Sequence, residues 1–169
     1  MSAVSITPAI ITVLHKTISV TPGQLAGHVA PAIRNYNPGI QICIGTNANF
    51  AQLNEQKPLP ENCDMVCYSI HPQEHASDNT TLLENLQAQS YTVKSAKHFA
   101  TDKRIWVSPV NIQRRFNANI ENFETQSYGD KIPSQFDSRM MSLFGACWTA
   151  GSIKYLGESG ADGITYYET

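Results

Sequence analysis

The sequence predicts a parallel α/β fold: a partial (β/α)8 TIM barrel holding about strands 4 to 8. Three observations predict it. Short β-branched runs alternate with helical stretches along the 169 residues, and such alternation means right-handed parallel βαβ units. The strand runs are apolar throughout, as expected when both faces of a sheet are covered. Each run ends on polar side chains, and the C-terminal strand tips are where chemistry sits in such folds. A complete barrel needs roughly 250 residues. Five strands therefore read as the second half of one, a single domain over 1–169 and a fragment of a larger protein.

The elements follow in order. Ile10 to Leu14 is a β-branched run, hence a strand. Thr21-Pro22 opens a helix with Leu25, Val29, Ala32, Ile33 and Tyr36 as its stripe, and Asn37-Pro38-Gly39 ends it. Ile40 to Ile44 is the second strand, closing on Gly45-Thr46-Asn47, and 57–63 is a Pro-rich loop. Met65 to Ile70 is the third strand, closing on His71-Pro72-Gln73. Asn79 or Thr80 caps a helix to about His98, with Leu82, Leu83, Leu86, Tyr91 and Val93 among its apolar residues. Arg104 to Val110 is the fourth strand; Pro109 is tolerable near its end, where pairing stops. Residues 117–136 read as a long loop on the functional face. Asp137 or Ser138 caps the longest helix, whose wide apolar face runs from Met140, Met141 and Leu143 through Phe144, Cys147 and Trp148 to Ile153 and Leu156. Gly160 ends that helix, and Gly163 to Tyr167 is the fifth strand.

Composition excludes several classes. Net charge is −2 with no basic stripe, so neither nucleic acid nor a membrane surface is an expected partner. No apolar run approaches the roughly 20 residues that span a bilayer. Met1 to Leu14 lacks a basic n-region and contains Pro8, so it does not read as a signal peptide. No Gly-x-Gly-x-x-Gly follows the first strand, and no cofactor is expected. Cys43, Cys63, Cys67 and Cys147 read as buried reduced thiols, which points to a cytoplasmic location.

Parallel strands bring their polar tips to one rim. The first tip offers His15 and Lys16. The second offers Asn47 and Asn49, with Gln52, Asn54 and Glu55 behind. The third offers Ser69, His71, Gln73, His75 and Asp78. The fourth offers Asn111, Gln113, Arg114 and Arg115, and the fifth Tyr166, Tyr167 and Glu168. Amides, arginine and tyrosine suit a polyhydroxylated ligand that needs many oriented hydrogen bonds. His71 and His75 stand at i, i+4, but Pro72 argues against the helix a metal would need, so no metal is expected. Asp78 is a helix cap or a site residue. Arg114 and Arg115 diverge on an extended backbone, one to the rim and one to solvent or a carboxylate. Tyr166 and Tyr167 alternate, so one is core.

These tips also carry a resemblance. Gly45-Thr46-Asn47-Ala48-Asn49-Phe50 with Leu53-Asn54 is similar to the Gly-Thr-x-Ala-x-Phe-x-Glu-Leu-Asn-Arg of the D-apionate lactonase family. Pro72-Gln73-Glu74-His75-Ala76-Ser77-Asp78 resembles its Pro-Gln-x-His-Ala-x-Asp. Ser108-Pro109-Val110 with Arg115-Phe116-Asn117 resembles its Ser-Pro-Val-Thr-Leu-x-x-Arg-Phe-Asn. Ser142 to Ala146 with Trp148, Gly151 and Ser152 is similar to its last long helix, and Thr165 to Thr169 matches its Thr-Tyr-Tyr-Glu-Thr. The resemblance implies a barrel related to glycoside hydrolases that opens an aldonolactone of a branched pentose. It also implies a first half-barrel and a following β-rich domain. The departures are Gln52 for a Glu, Glu55 for an Arg, Asn111 for a Thr and His71 for an Asn.

Lactone opening needs an activated water, a polarised carbonyl and a proton for the leaving alkoxide. Glu168 is the first candidate for proton transfer and His75 the second. Asn47 and Arg115 would bind hydroxyls or the oxyanion, with Asn49, Glu55, His71, Gln73, Asp78, Asn111 and Tyr167 as further binding candidates for a small sugar or sugar lactone. A glycosidase would need two facing carboxylates, and the first tip supplies none. A carbohydrate-binding remnant without turnover is the non-enzymatic alternative. Five strands without closure leave two open edges, through which a homodimer could pair.

Overall fold

The computed structural model describes residues 8–58, 61–115 and 136–167. Five strands form one parallel sheet in chain order: β1 (Ile10–Thr12), β2 (Gln41–Asn49), β3 (Met65–Ile70), β4 (Arg104–Val110) and β5 (Gly163–Tyr166). Between them run α1 (Gly23–Tyr36), α2 (Phe50–Gln56), α3 (Asn79–Glu84), α4 (Leu86–Phe99) and α5 (Leu143–Glu158), with a 3-10 turn at Ser138–Met141 before α5. The sheet curls into the expected half-barrel.

Register sorts the strand side chains onto two faces. Ile44 pairs with Val66, Val66 with Ile105, and Val107 with Ile164. With Tyr68 these residues face the helices, where Leu82, Leu86, Val93, Trp148 and Leu156 complete the main core. A second cluster sets Ile42 and Ile44 against Ala26 and Ala30 of α1. On the opposite face Cys43, Met65 and Cys67 pack together with Ile10 and Trp106. The Cys67 thiol and burial push the Cys43 thiol pKa far up, so Cys43 stays protonated.

The C-terminal half of β2 is anchored by Gly45. Its φ is +144°, and a Cβ there would lie 2.0 Å from the Cys67 carbonyl oxygen. Only glycine suits both the dihedral and the approach. Gly45→Ala should cost more than about 2 kcal/mol, read as a lower urea midpoint with an unchanged slope.

Several elements differ from expectation. β1 stops at Thr12, with Leu14 exposed, although Val13 N–H still donates to the Cys43 carbonyl at 2.8 Å. β2 runs on to Asn49 and passes directly into α2, a helix the sequence reading missed. The helix expected from Asn79 to His98 breaks at Asn85 into α3 and α4. On α1 the small Ala26 and Ala30 are buried while Ala32 and Tyr36 are exposed, because close approach to β2 favours the small residues. Asp137 caps the 3-10 turn by accepting the Arg139 N–H, and Ser142 caps α5. The apolar face of α5 is narrower than expected: Trp148 and Leu156 are buried, whereas Met141, Leu143, Ile153 and Cys147 are exposed. Cys147 is thus a correction to the four buried thiols. No helix among the described residues is long and apolar enough to cross a membrane.

Candidate active site

The strand tips meet as the parallel topology requires, and hydrogen bonds knit them side to side. Arg115, beyond β4, donates through Nη2 to the Asn47 carbonyl at 2.6 Å and to Asn47 Oδ1 at 3.0 Å. It thereby crosses over the end of β3 to reach β2. Ser69 Oγ donates to the Ala48 carbonyl at 2.8 Å and lies 3.3 Å from Asn49 Oδ1. The Asn111 N–H continues the β3–β4 ladder by donating to the Ile70 carbonyl at 3.0 Å. After β1 the chain folds across the rim, with Val20 bridging Thr46 antiparallel and the Thr21 N–H donating to the Gly45 carbonyl at 2.7 Å. His15 serves this turn: its Nδ1 accepts the Ile18 N–H at 3.0 Å.

Between these bonds lies a pocket lined by Asn49, Ser69, Ile70, His71, Asn111 and Arg115. Four of the expected binding residues, Asn49, His71, Asn111 and Arg115, are therefore brought together. The lining offers amide donors and acceptors, a hydroxyl, a guanidinium and an imidazole. Such a set can orient several hydroxyls and stabilise negative charge on a carbonyl oxygen. Among the described residues the lining holds no carboxylate. Burial lowers the His71 pKa, and Arg114 and Arg115 lower it further against the upward pull of Glu74, so the ring is neutral at physiological pH. Arg114 turns away as expected, its Nη1 3.5 Å from Glu74 Oε1.

A clamp centred on the buried Asp137 holds the loop that carries these histidines. Gln73 Nε2 donates to Asp137 Oδ2 at 2.7 Å, and Arg139 Nη2 reaches the same oxygen at 2.6 Å. Arg139 Nη1 then donates to the Ser77 carbonyl at 2.6 Å and to Asn79 Oδ1 at 2.9 Å. Sequence reading saw Asp137 only as a cap and did not single out Arg139, because their partners Gln73, Ser77 and Asn79 lie on a loop distant in the chain. The Arg139 hydrogen bonds, then Gln73, hold the Asp137 carboxyl down at about 2. A depressed carboxylate pKa contributes stability that is present above the unfolded value and lost as pH falls through the folded one. Stability should therefore drop between about pH 4 and pH 2, and Asp137→Asn should flatten that limb while losing on the order of 2 kcal/mol at neutral pH. Thermal melts across pH check both.

The other expected site residues stand elsewhere. His75 is exposed on the loop after β3. Asp78 is exposed and caps α3, accepting the Thr81 N–H at 3.0 Å, and that bond lowers its pKa. Glu55 is exposed on α2. Gln52 closes a capping box, its Oε1 accepting the Asn49 N–H at 3.2 Å, a task that Gln and Glu share. Tyr167 has φ +56°, which breaks the strand alternation. Its hydroxyl pairs with Thr149 at 2.7 Å while that of Tyr166 donates to Ser152 at 2.8 Å, so both tyrosines reach α5; Tyr166 packs against the main core, as expected of one of the pair, and Tyr167 is not among the residues lining the pocket. Glu168 lies outside the described residues, as does the long loop expected over 117–136 apart from Phe136. No group of three or more His, Cys, Asp or Glu that could hold a metal occurs among the described residues.

The model of the D-apionate lactonase TIM barrel domain matches residues 1–169. Curated protein sequences give no match. Among solved structures, the endo-1,4-β-D-mannanase of Thermotoga petrophila RKU-1 is 9% identical with a TM-score of 0.48, covering 85% of this chain and 39% of its own. A glucosidase from Croceicoccus marinus is 12% identical with a TM-score of 0.48, covering 87% and 28%. A family 51 α-L-arabinofuranosidase from Bifidobacterium longum is 10% identical with a TM-score of 0.44, covering 88% and 34%. The chain thus spans well under half the length of the solved structures it matches.

Proposed function

Because the chain belongs to the D-apionate lactonase family, as its TIM barrel domain, we propose that it opens a sugar lactone by hydrolysis, in the manner of D-apionolactone giving D-apionate. The observation that carries this reading is the pocket at the strand tips, where Asn49, His71, Asn111 and Arg115 converge. A neutral polyhydroxylated ring presents hydroxyls to such amides, and a guanidinium at its edge favours the oxyanion that forms when water adds to the lactone carbonyl.

In this mechanism water attacks the carbonyl carbon, the ring carbon–oxygen bond breaks, and the leaving alkoxide takes a proton. Glu168 is the group proposed to accept and supply the protons, and His75, exposed on the loop after β3 and outside the pocket lining, takes no part in the step. The product is a hydroxy acid that releases one proton near neutral pH. A glycosidase reading needs two carboxylates flanking the scissile bond, and the described pocket lining supplies none. A binding module without turnover is the other reading. β1 and β5 form the two sheet edges, and pairing of two copies through them belongs to the proposal.

The test is to incubate the chain with D-apionolactone and, separately, with aryl glycosides. Lactone consumption without phenol release is expected. Phenol release would favour the glycosidase, and ring binding without consumption the binding module.

A further inference from the structure

Asn111 follows β4 directly and stands in the pocket wall, only 8% exposed. Its backbone is engaged, the N–H donating to the Ile70 carbonyl at 3.0 Å. Its side-chain amide makes no hydrogen bond among the described residues. The buried side-chain polar atoms that are both unbonded and shut off from solvent there are His71 Nδ1 and Gln89 Nε2. Neither belongs to Asn111, so both its amide oxygen and its amide nitrogen are open to solvent. In a residue set this deeply into the lining, that opening is the pocket. Polar groups so deeply placed are nearly always paired, and an amide left open there is poised for a ligand.

Its neighbours in the wall also hold the rim together. Ser69 donates to the Ala48 carbonyl, Asn49 caps α2, and Arg115 ties back to Asn47. The Asn111 side chain has no such task. Its planar amide presents an acceptor, Oδ1, and a donor, Nδ2, side by side. The complement is an acceptor and a donor held side by side on the ligand. A lactone carbonyl supplies only the acceptor. A hydroxyl on the carbon next to it supplies the donor in the adjoining position. Nδ2 then donates to the carbonyl oxygen, where negative charge grows as water adds, and Oδ1 accepts from the hydroxyl. A lactone without that hydroxyl leaves Oδ1 desolvated and unpaired, which weakens its binding.

We propose that Asn111 is a specificity-determining residue of the rim, selecting lactones that carry a hydroxyl on the carbon next to the carbonyl. The inference rests on the sugar-lactone reading of this site and names the part of the substrate that the site reads. It also gives the replacement of the family's Thr a role, because a Thr side chain has one oxygen to offer both partners, whereas the amide has an atom for each.

The probes are two five-membered lactams, which keep the ring carbonyl but are not opened during the measurement. One is 3-hydroxy-2-pyrrolidinone, and the other, 2-pyrrolidinone, lacks the hydroxyl. The parent should bind the hydroxylated lactam about tenfold more tightly, with the Asn111 side-chain amide signals shifting in proton–nitrogen spectra. Asn111→Leu removes both amide atoms at similar volume. Since the amide has no protein partner to lose, this variant should melt no lower than the parent, yet bind the two lactams equally. Asn111→Thr, which keeps a polar atom, should discriminate less than the parent. Equal binding of the two lactams by the parent, unmoved Asn111 signals at saturation, or undiminished preference in a folded variant would overturn the assignment. The two readings fail separately. Lactam discrimination through Asn111 with no consumption of D-apionolactone removes the activity and leaves Asn111 standing. Full lactone turnover with unchanged lactam preference in Asn111→Leu removes Asn111 and leaves the activity standing.

Discussion

Replacing Trp148 by alanine will lower stability by about 4 kcal/mol, the range found when a large aromatic is cut from a packed core. Trp148 on α5 is completely buried in the main cluster, against side chains from α3, α4 and the strands. Its indole Nε1 also donates to the Leu82 carbonyl at 3.2 Å, close to the break between α3 and α4. The substitution thus opens a cavity and leaves a buried carbonyl without its donor, and the two costs add. For a domain of this size the melting temperature should fall by roughly 8–16 °C. Trp148→Phe, which keeps most of the ring, should lose clearly less. Equal losses in the two variants would mean that the hydrogen bond, not the volume, holds this part of the core.

Glu168→Gln should reduce lactone turnover on the order of 100-fold or more, with a smaller change in KM. The residue follows β5 in the chain, one position past Tyr167, whose backbone N–H donates to the Val110 carbonyl at 3.2 Å. That bond keeps β5 paired with β4 up to the rim. A glutamine has nearly the shape of the carboxylate but cannot exchange protons at neutral pH, so it isolates proton transfer from packing. Acid release followed in a pH-stat gives the rate directly. A Glu168→Gln variant with unchanged kcat would remove Glu168 from the mechanism.

How far the fold was legible depended on side-chain type. β3 and β4 were read with their observed bounds because Met65 to Ile70 and Arg104 to Val110 are apolar runs with abrupt ends. α2 was missed because Asn47, Asn49 and Asn54 look like loop residues, and only the capping box of Asn49 and Gln52 marks the start. The buried face of α1 was misread since Ala26 and Ala30 carry little hydrophobic signal, whereas Tyr36 carries much and is exposed. In the site, convergence of the tips followed from parallel topology alone, and the divergence of Arg114 and Arg115 followed from extended backbone. Of the two tyrosines, one was expected in the core and Tyr166 packs there, whereas Tyr167 also reaches α5 because its left-handed backbone breaks the alternation. The tie of Glu74 to His71 is a local i, i+3 contact in an irregular loop, where helical spacing does not apply, and those of Glu74 to Arg114 and of Gln73 to Asp137 are tertiary contacts that no spacing rule announces.

The C-terminal rim of the strands is the proposed sugar-lactone site. Backbone amide shifts recorded during titration with D-apionolactone test it directly. Perturbations are predicted at Asn49, Ser69, His71, Asn111 and Arg115, with Gln41, Met65 and Arg104 at the opposite strand ends unmoved. Perturbations centred on those opposite ends, or none at a saturating concentration of the lactone, would contradict it.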